Sequence, residues 1–320
     1  MKYCLALHGG AGTLAKTALD PDAFKPYQAA MRLALEAGEK ILSQNGSAVD
    51  AVVATVKVLE DCPLFNAGYG AVFTEDGVHE LDAAIMEGHT LNAGAIAGAR
   101  CIRNPIVAAH ALMRAGQSVF LAGEGADRFA ARQGLQPVAV DYFSTELRRD
   151  QLRELRMTRP NARELDHDTG MGTVGAVARD RRGNLAAATS TGGTANKQSG
   201  RIGDSPVIGA GTYASELCAV SATGKGELFI RRCAAHEVDA RMRYLHEPLA
   251  DAVKSVIGDE TRLKLDGGLI AVDRRGNICL QQTKRMYRAM IVEGASPTID
   301  FGKNSAKDEF SSDAGRATST

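Results

Sequence analysis

Apolar residues recur at helical spacing over residues 27–42, and Asn45-Gly46 after them is a stop signal. Ser47, three residues before Asp50, opens a second helix expected to reach about Leu59. The same periodicity predicts helices over 105–115, 124–133, 145–155, 228–244 and 249–257. Short alternating or continuously apolar runs predict strands at 2–7, 71–73, 80–86, 91–97, 118–122, 173–178, 185–191, 267–272 and 278–282, and one more ending near Val220. Two turns are identical in sequence, Asp180-Arg181-Arg182-Gly183-Asn184 and Asp273-Arg274-Arg275-Gly276-Asn277. Nothing around them recurs, so they read as reused turn chemistry and not as a duplicated domain.

Two stretches lack any sustained apolar period. From Arg153 to about Gly172 the chain is mostly charged or polar, with Pro160, and reads as an exposed loop or mobile linker. From Lys303 it is rich in Ser, Thr, Asp and Lys, and a disordered tail is expected. Arg148, Arg149, Arg153 and Arg156 are interleaved with acids, which predicts a solvated helix face. His79-Glu80-Leu81-Asp82 has no second His at helical spacing, so a solvated turn entering a strand is expected in place of a metal site.

Composition narrows the function classes. A chain of 320 residues can bury a large interior, as one unit or two halves sharing a core. Its 38 basic and 38 acidic residues balance, which gives no pointer to nucleic acid or an anionic membrane. No apolar run approaches the ~20 residues of a membrane span. The first residues carry one Lys and too short an apolar stretch for a signal peptide, so a cytoplasmic protein is expected. Cys4, Cys62, Cys101, Cys218, Cys233 and Cys279 form no CxxC pair and are expected to be reduced core residues. Gly10-x-Gly12-x-x-Ala15 matches a dinucleotide fingerprint formally, but no capped helix or acid-terminated second strand follows. Gly224-Lys225 lacks the upstream glycine and the following Ser/Thr of a phosphate loop.

The stretch with the most chemistry is Gly172-Thr173-Val174-Gly175-Ala176-Val177-Ala178. A polar linker ending in Gly and joined to a strand starting with Thr suggests a cut at Gly172–Thr173. The cut would give Thr173 a free amine, which can serve the threonine hydroxyl as its base. That amine has an ordinary pKa of about 7.7–8.0, close to what a base needs near neutrality. The same residues also suit a plain strand start. A three-residue loop Arg181-Arg182-Gly183 pairs Asp180 with Asn184, which brings Thr173 opposite Thr191. A slip of one residue would bring Ser190 there instead. Further on, Arg201 and Asp204 lie in a loop bounded by Gly and Pro. They could cancel each other at the surface, or hold the carboxylate and ammonium of an amino-acid head group.

Together, Thr173-Val174-Gly175-Ala176-Val177-Ala178 and Ala188-Thr189-Ser190-Thr191-Gly192-Gly193 resemble the plant-type asparaginases, or isoaspartyl peptidases, among the N-terminal nucleophile hydrolases. The likeness runs from His8-Gly9-Gly10-Ala11-Gly12 to Met286-Tyr287-Arg288. It implies an α+β fold, a four-layer αββα sandwich, made as a precursor that cuts itself into residues 1–172 and 173–320. It implies hydrolysis of β-aspartyl dipeptides and asparagine through a β-aspartyl enzyme. Thr173 would be the nucleophile, Thr191 its orienting partner, Thr223 with Gly224 the oxyanion hole, and Asn66 a further residue of the catalytic set. Arg201, Asp204 and Gly226 would hold the substrate, and His8 would be structural. A structural sodium ion is implied on the main-chain carbonyls of Leu59, Glu60, Cys62, Phe65, Ala67 and Tyr69, shaping the loop that carries Asn66. A dimer of processed αβ units is implied as well.

Two other readings stand beside this one. A glycosylasparaginase would carry Asp-Thr-Ile-Gly at the cut, where this chain has Asp168-Thr169-Gly170-Met171. An unprocessed amino-acid-binding protein would not cut itself at all. One stretch departs from the family pattern: Gln281-Gln282-Thr283-Lys284-Arg285 stands where members carry Phe-Asn and an acidic-Gly pair. Substrate preference and processing are the properties it would affect.

Overall fold

Alternation along the strands sorts their side chains onto two faces, and two sheets use that alternation to pack on each other. The computed structural model describes residues 1–11, 21–158, 172–259, 263–301 and 310–311. Its helices are α1 (Pro21–Ser43), α2 (Ala48–Glu60), α3 (Pro105–Ala115), α4 (Gly123–Arg132), α5 (Glu146–Thr158), α6 (Gly226–Arg232), α7 (Ala234–Tyr244) and α8 (Leu249–Gly258). The first sheet contains β1 (Cys4–Ala11), β2 (Leu81–Glu87), β3 (Ala93–Ala99), β4 (Phe120–Ala122), β5 (Val174–Arg179), β6 (Leu185–Thr191), β11 (Met286–Val292) and β12 (Thr298–Phe301). Their spatial order is β12-β11-β1-β5-β6-β2-β3-β4. The second contains β7 (Thr212–Ala214), β8 (Cys218–Gly224), β9 (Gly267–Asp273), β10 (Ile278–Gln282) and β13 (Phe310–Ser311), in the order β13-β10-β9-β8-β7.

Three apolar clusters separate four layers. Leu5, Leu7, Val174, Ala176, Ala186 and Ala188 face α1, α2 and α3, whose Met31, Leu35, Val52 and Leu112 meet them. Residues on the opposite face, Cys4, Ala6, Val177 and Ala187, meet Ala219, Ile270 and Leu280 of the second sheet. The outer face of that sheet, with Val220, Leu269 and Ala271, packs on Val238, Val253 and Ile257 of α7 and α8. The result is the expected αββα sandwich. Face-to-face sheets need this period-two sorting, and a slip of one residue would invert it.

The helix starts follow local chemistry. Ser47 caps α2 through a bond from Asp50 N to Ser47 Oγ at 3.0 Å. Pro105 opens α3, and Gly116 closes it with a left-handed φ of 68°. Both repeated turns close alike: Asp180 Oδ1 accepts from Arg182 N and Asn184 N, and Asp273 Oδ1 from Arg275 N and Asn277 N. Gly183 and Gly276 each take a φ of 90° there.

Several expectations need correction. Residues 228–244 are not one helix: Cys233, at φ 49° and ψ 47°, separates α6 from α7. Residues 71–73 are buried but form no strand. Helix α5 runs on to Thr158, so the polar run from Arg153 begins as helix, and its remainder to residue 171 lies outside the described residues. The tail is likewise mostly outside them, although Phe310–Ser311 pairs with Leu280 and Cys279. The arginine face of α5 is not wholly solvated. Arg148 is buried and donates from Nε to Gly70 O at 2.7 Å, and burial lowers its pKa to about 10. His79, Glu80 and Asp82 are buried too, because His79 bridges Val72 O and Ser144 Oγ while Asp82 Oδ1 accepts from Gly98 N. Of the cysteines only Cys4, Cys218 and Cys279 are core residues; Cys62 and Cys101 are half-buried, and Cys233 is exposed.

Candidate active site

The β5–β6 hairpin sets the site. Its register pairs Val174 with Ser190 and Arg179 with Leu185, and Asp180 N donates to Asn184 O. Extending it by one pair puts Thr173 beside Thr191. The Thr173 Oγ1 hydroxyl donates to Thr191 Oγ1 at 3.1 Å, both side chains being buried. Ser190 points the other way, toward α2, and donates to Glu60 Oε1 at 2.6 Å. The alternation therefore settles the choice between Thr191 and Ser190.

Thr173 faces the space between the sheets. There it meets Ser205 Oγ at 3.4 Å, a neighbour that sequence reasoning missed. Thr191 Oγ1 also accepts from Gly193 N at 2.9 Å, which orients it. Asn66 reaches the same loop: its Nδ2 donates to Gly193 O at 2.7 Å and its Oδ1 accepts from Val72 N at 2.9 Å.

Gly172 lies in a crowded seat between β1 and β8. A Cβ on Gly10, where φ is +103°, would fall 2.6 Å from Gly172 O and 2.8 Å from Gly172 N. A Cβ on Gly172 itself would lie 3.2 Å from Thr223 Oγ1. Thr223 Oγ1 accepts from Ala11 N at 3.0 Å, so the β1 end, the glycine before Thr173 and the Thr223 hydroxyl converge. Gly224 follows at φ +147° against Gly267, its partner in β9, where neither could carry a side chain without meeting backbone.

His8 is buried between the sheets, where burial favours its neutral form. Its Nδ1 lies 3.1 Å from Thr173 O and its Nε2 2.9 Å from Ser221 Oγ, and burial lowers its pKa to about 3.

Arg201, Asp204 and Gly226 come together on the other side. A Cβ on Gly226 would meet Asp204 Oδ1 at 2.8 Å and Arg201 Nη2 at 3.0 Å, so an open glycine lies between a cation and a carboxylate. They are not a surface pair. Asp204 is buried, its Oδ2 has no hydrogen-bond partner, and burial raises its pKa to about 7. Arg201 binds Glu227 Oε1 through Nε at 2.9 Å and Nη2 at 2.6 Å, a partner the sequence did not disclose. Lys197, buried behind this loop, donates to Glu80 O at 2.9 Å.

The loop after α2 has the donor chemistry of a hard-cation site. Tyr69 N donates to Glu60 O at 2.7 Å, and a Cβ on Gly68 would lie 2.5 Å from that same oxygen. A Cβ on Gly70 would lie 2.5 Å from Pro63 O and 2.8 Å from Phe65 O. Main-chain oxygens are the kind of donor a hard cation takes. Among the described residues no group of three or more His, Cys, Asp or Glu could hold a metal. The 281–285 stretch begins as the end of β10 and then leaves the second sheet: Thr283 Oγ1 accepts from Gly267 N at 2.9 Å, next to Gly224.

Residues 1–300 match the model of the family described as asparaginase. The chain is 48% identical over 305 residues to an isoaspartyl peptidase of Salmonella typhimurium, covering 93% of this chain and 97% of that one. It is 40% identical over 316 residues to an isoaspartyl peptidase/L-asparaginase of Bos taurus, covering 96% and 99%. It is 38% identical over 325 residues to a probable isoaspartyl peptidase/L-asparaginase of Arabidopsis thaliana, covering 91% and 96%. The chain belongs to the asparaginase family, and its two-sheet αββα architecture is that of the N-terminal nucleophile hydrolases.

Proposed function

We propose that this enzyme cuts itself between Gly172 and Thr173 and then hydrolyses β-aspartyl dipeptides and L-asparagine. The observation that carries this reading is the meeting of Thr173 Oγ1, Thr191 Oγ1 and the Gly172 peptide between the two sheets. In the precursor, Thr173 Oγ attacks the Gly172 carbonyl carbon. The C–N bond breaks, Gly172 passes from nitrogen to oxygen as an ester, and water hydrolyses that ester. The products are residues 1–172 and a chain beginning at Thr173, held in one shared core.

The new amine takes the Thr173 hydroxyl proton as the oxygen attacks the side-chain carbonyl of the substrate. The leaving amine departs with a proton, and a β-aspartyl ester remains until water releases aspartate. Thr191 orients the nucleophile. Thr223 and Gly224 donate to the oxyanion, where one donor is typically worth about 2.7–4 kcal/mol of barrier. Arg201 takes the substrate carboxylate and Asp204 its ammonium, with Gly226 leaving room for the head group. Dipeptides and asparagine present this same head group. A sodium ion on the carbonyls of Leu59, Glu60, Cys62, Phe65, Ala67 and Tyr69 would hold the Asn66 loop in shape. Two processed units pair as a dimer of αβ heterodimers.

Denaturing electrophoresis tests the central step. The active protein gives two bands, whereas Thr173→Ala gives one at 33.8 kDa without activity. An intact chain that turns over β-aspartyl substrate at full rate would sink the reading.

A further inference from the structure

We propose that Ser221 and Thr189, with Thr212 behind them, are positioning residues: their hydroxyls donate toward His8 Nε2 and so support the tautomer in which the Nδ1 proton of His8 clamps the backbone carbonyl of Thr173. This builds on the function proposed above but concerns residues that function leaves unused. Thr212 Oγ1 donates to Thr189 Oγ1 at 2.6 Å. Thr189 and Ser221 share a hydrogen bond of 2.7 Å, and Ser221 Oγ lies 2.9 Å from His8 Nε2. His8 Nδ1 lies 3.1 Å from Thr173 O.

A carbonyl oxygen only accepts, so His8 must carry its proton on Nδ1. Its Nε2 is then an acceptor, and Ser221 must donate to it. Ser221 in turn accepts from Thr189 and Thr189 from Thr212, while Gly211 O lies 3.3 Å from Thr189 Oγ1 and Ser205 O lies 2.9 Å from Thr212 Oγ1 as alternative acceptors. Each member is buried, so no bulk water can replace a missing link cheaply. Arg288, opposite His8 in the β1–β11 register, is occupied by Asp300 and Leu280 O and does not compete.

The chain also explains a glycine. A Cβ on Gly175 would fall 2.5 Å from His8 Nε2 and closer still to Ser221 Oγ. The His8–Ser221 bond crosses directly over Gly175, two residues after Thr173, and only glycine leaves it room. Because Thr173 O stays with the nucleophile after the cut, the clamp serves both self-cleavage and turnover. It restrains the residue from its carbonyl side while Thr191 orients its hydroxyl.

The test reads His8 itself. Nitrogen-15 spectra of histidine-labelled mature protein, assigned with His8→Gln, should show His8 neutral with the proton on Nδ1, unchanged from pH 5 to 9. Ser221→Ala and Thr189→Val should disturb that signal and slow both cleavage and kcat, roughly tenfold for the loss of one buried bond, while KM changes less than about twofold. Thr189→Ser, which keeps the hydroxyl, should restore both. A proton on Nε2, titration of His8 within that range, or a Thr189→Val protein with ordinary kcat would each overturn the proposal. The nuclear signal needs no turnover, so a protein that never cuts itself would refute the function while leaving this assignment to be read from the precursor.

Discussion

Replacing Asp204 by Asn separates the binding role of this carboxylate from its effect on stability, and the two should move in opposite directions. Asp204 is buried with one oxygen unpartnered, and its pKa in the folded protein is about 7 against an ordinary 3.8. That difference corresponds to roughly 4 kcal/mol. The native state binds this proton more tightly than the unfolded chain does. Its stabilising contribution is therefore complete below about pH 4 and is lost as pH rises through 7. Asp204→Asn should unfold at higher denaturant than wild type at pH 8, by up to about 4 kcal/mol, and match it near pH 4. Binding runs the other way. Only the ionised carboxylate holds an ammonium, so calorimetric affinity for L-aspartate should fall about tenfold per pH unit below 7, reaching roughly 100-fold at pH 5. The Asn variant should bind weakly at every pH. Wild-type affinity that is flat from pH 5 to 8, with an Asn variant whose stability advantage over wild type is no larger at pH 8 than at pH 4, would refute the assignment.

Three other changes probe the parts around it. Gly10→Ala forces a side chain into the Gly172 seat at φ +103°, so the time course of band conversion should slow by at least about tenfold while the fold survives. Arg201→Lys keeps the charge but loses the planar fork, and KM for β-aspartyl dipeptides should rise about tenfold with kcat little altered. Arg148→Ala removes the bond to Gly70 O and a buried stem, which should lower stability by about 2–4 kcal/mol in urea melts.

Much of the site was legible because its spacing is local. The turn Asp180-Arg181-Arg182-Gly183-Asn184 fixes a register by short-range hydrogen bonds, and from it the meeting of Thr173 and Thr191 follows by counting. What stayed hidden depends on partners far along the chain. Arg148 looks like any cation on a polar helix until Gly70 O, 78 residues away, accepts from it. Ser205, Ser221 and Thr189 are single hydroxyls whose significance arises only when the second sheet lies over the first. The alternation of Cys218–Gly224 carried half the signal, since it puts Ser221 and Thr223 on one face. Cys233 broke a helix that periodicity predicted as continuous. Its left-handed conformation has no marker such as a glycine.

The unsatisfied carboxylates show where the fold gives up stability for chemistry. Glu60, Asp82 and Asp204 each bury an oxygen without a hydrogen-bond partner, and burial raises the pKa of all three. Native structures seldom leave such atoms in their cores, because each costs on the order of 1–3 kcal/mol or more when charged. Here they are not scattered. Glu60 holds Ser190, Asp82 lies opposite Thr191 in the β2–β6 register, and Asp204 borders Gly226 beside Arg201. All three surround the strand end that carries the nucleophile's partner. On the function proposed above, the substrate ammonium needs a carboxylate left free before it arrives, and Asp204 Oδ2 is unpartnered. The apolar clusters between the helices and the two sheets supply the burial that offsets the cost of such a carboxylate.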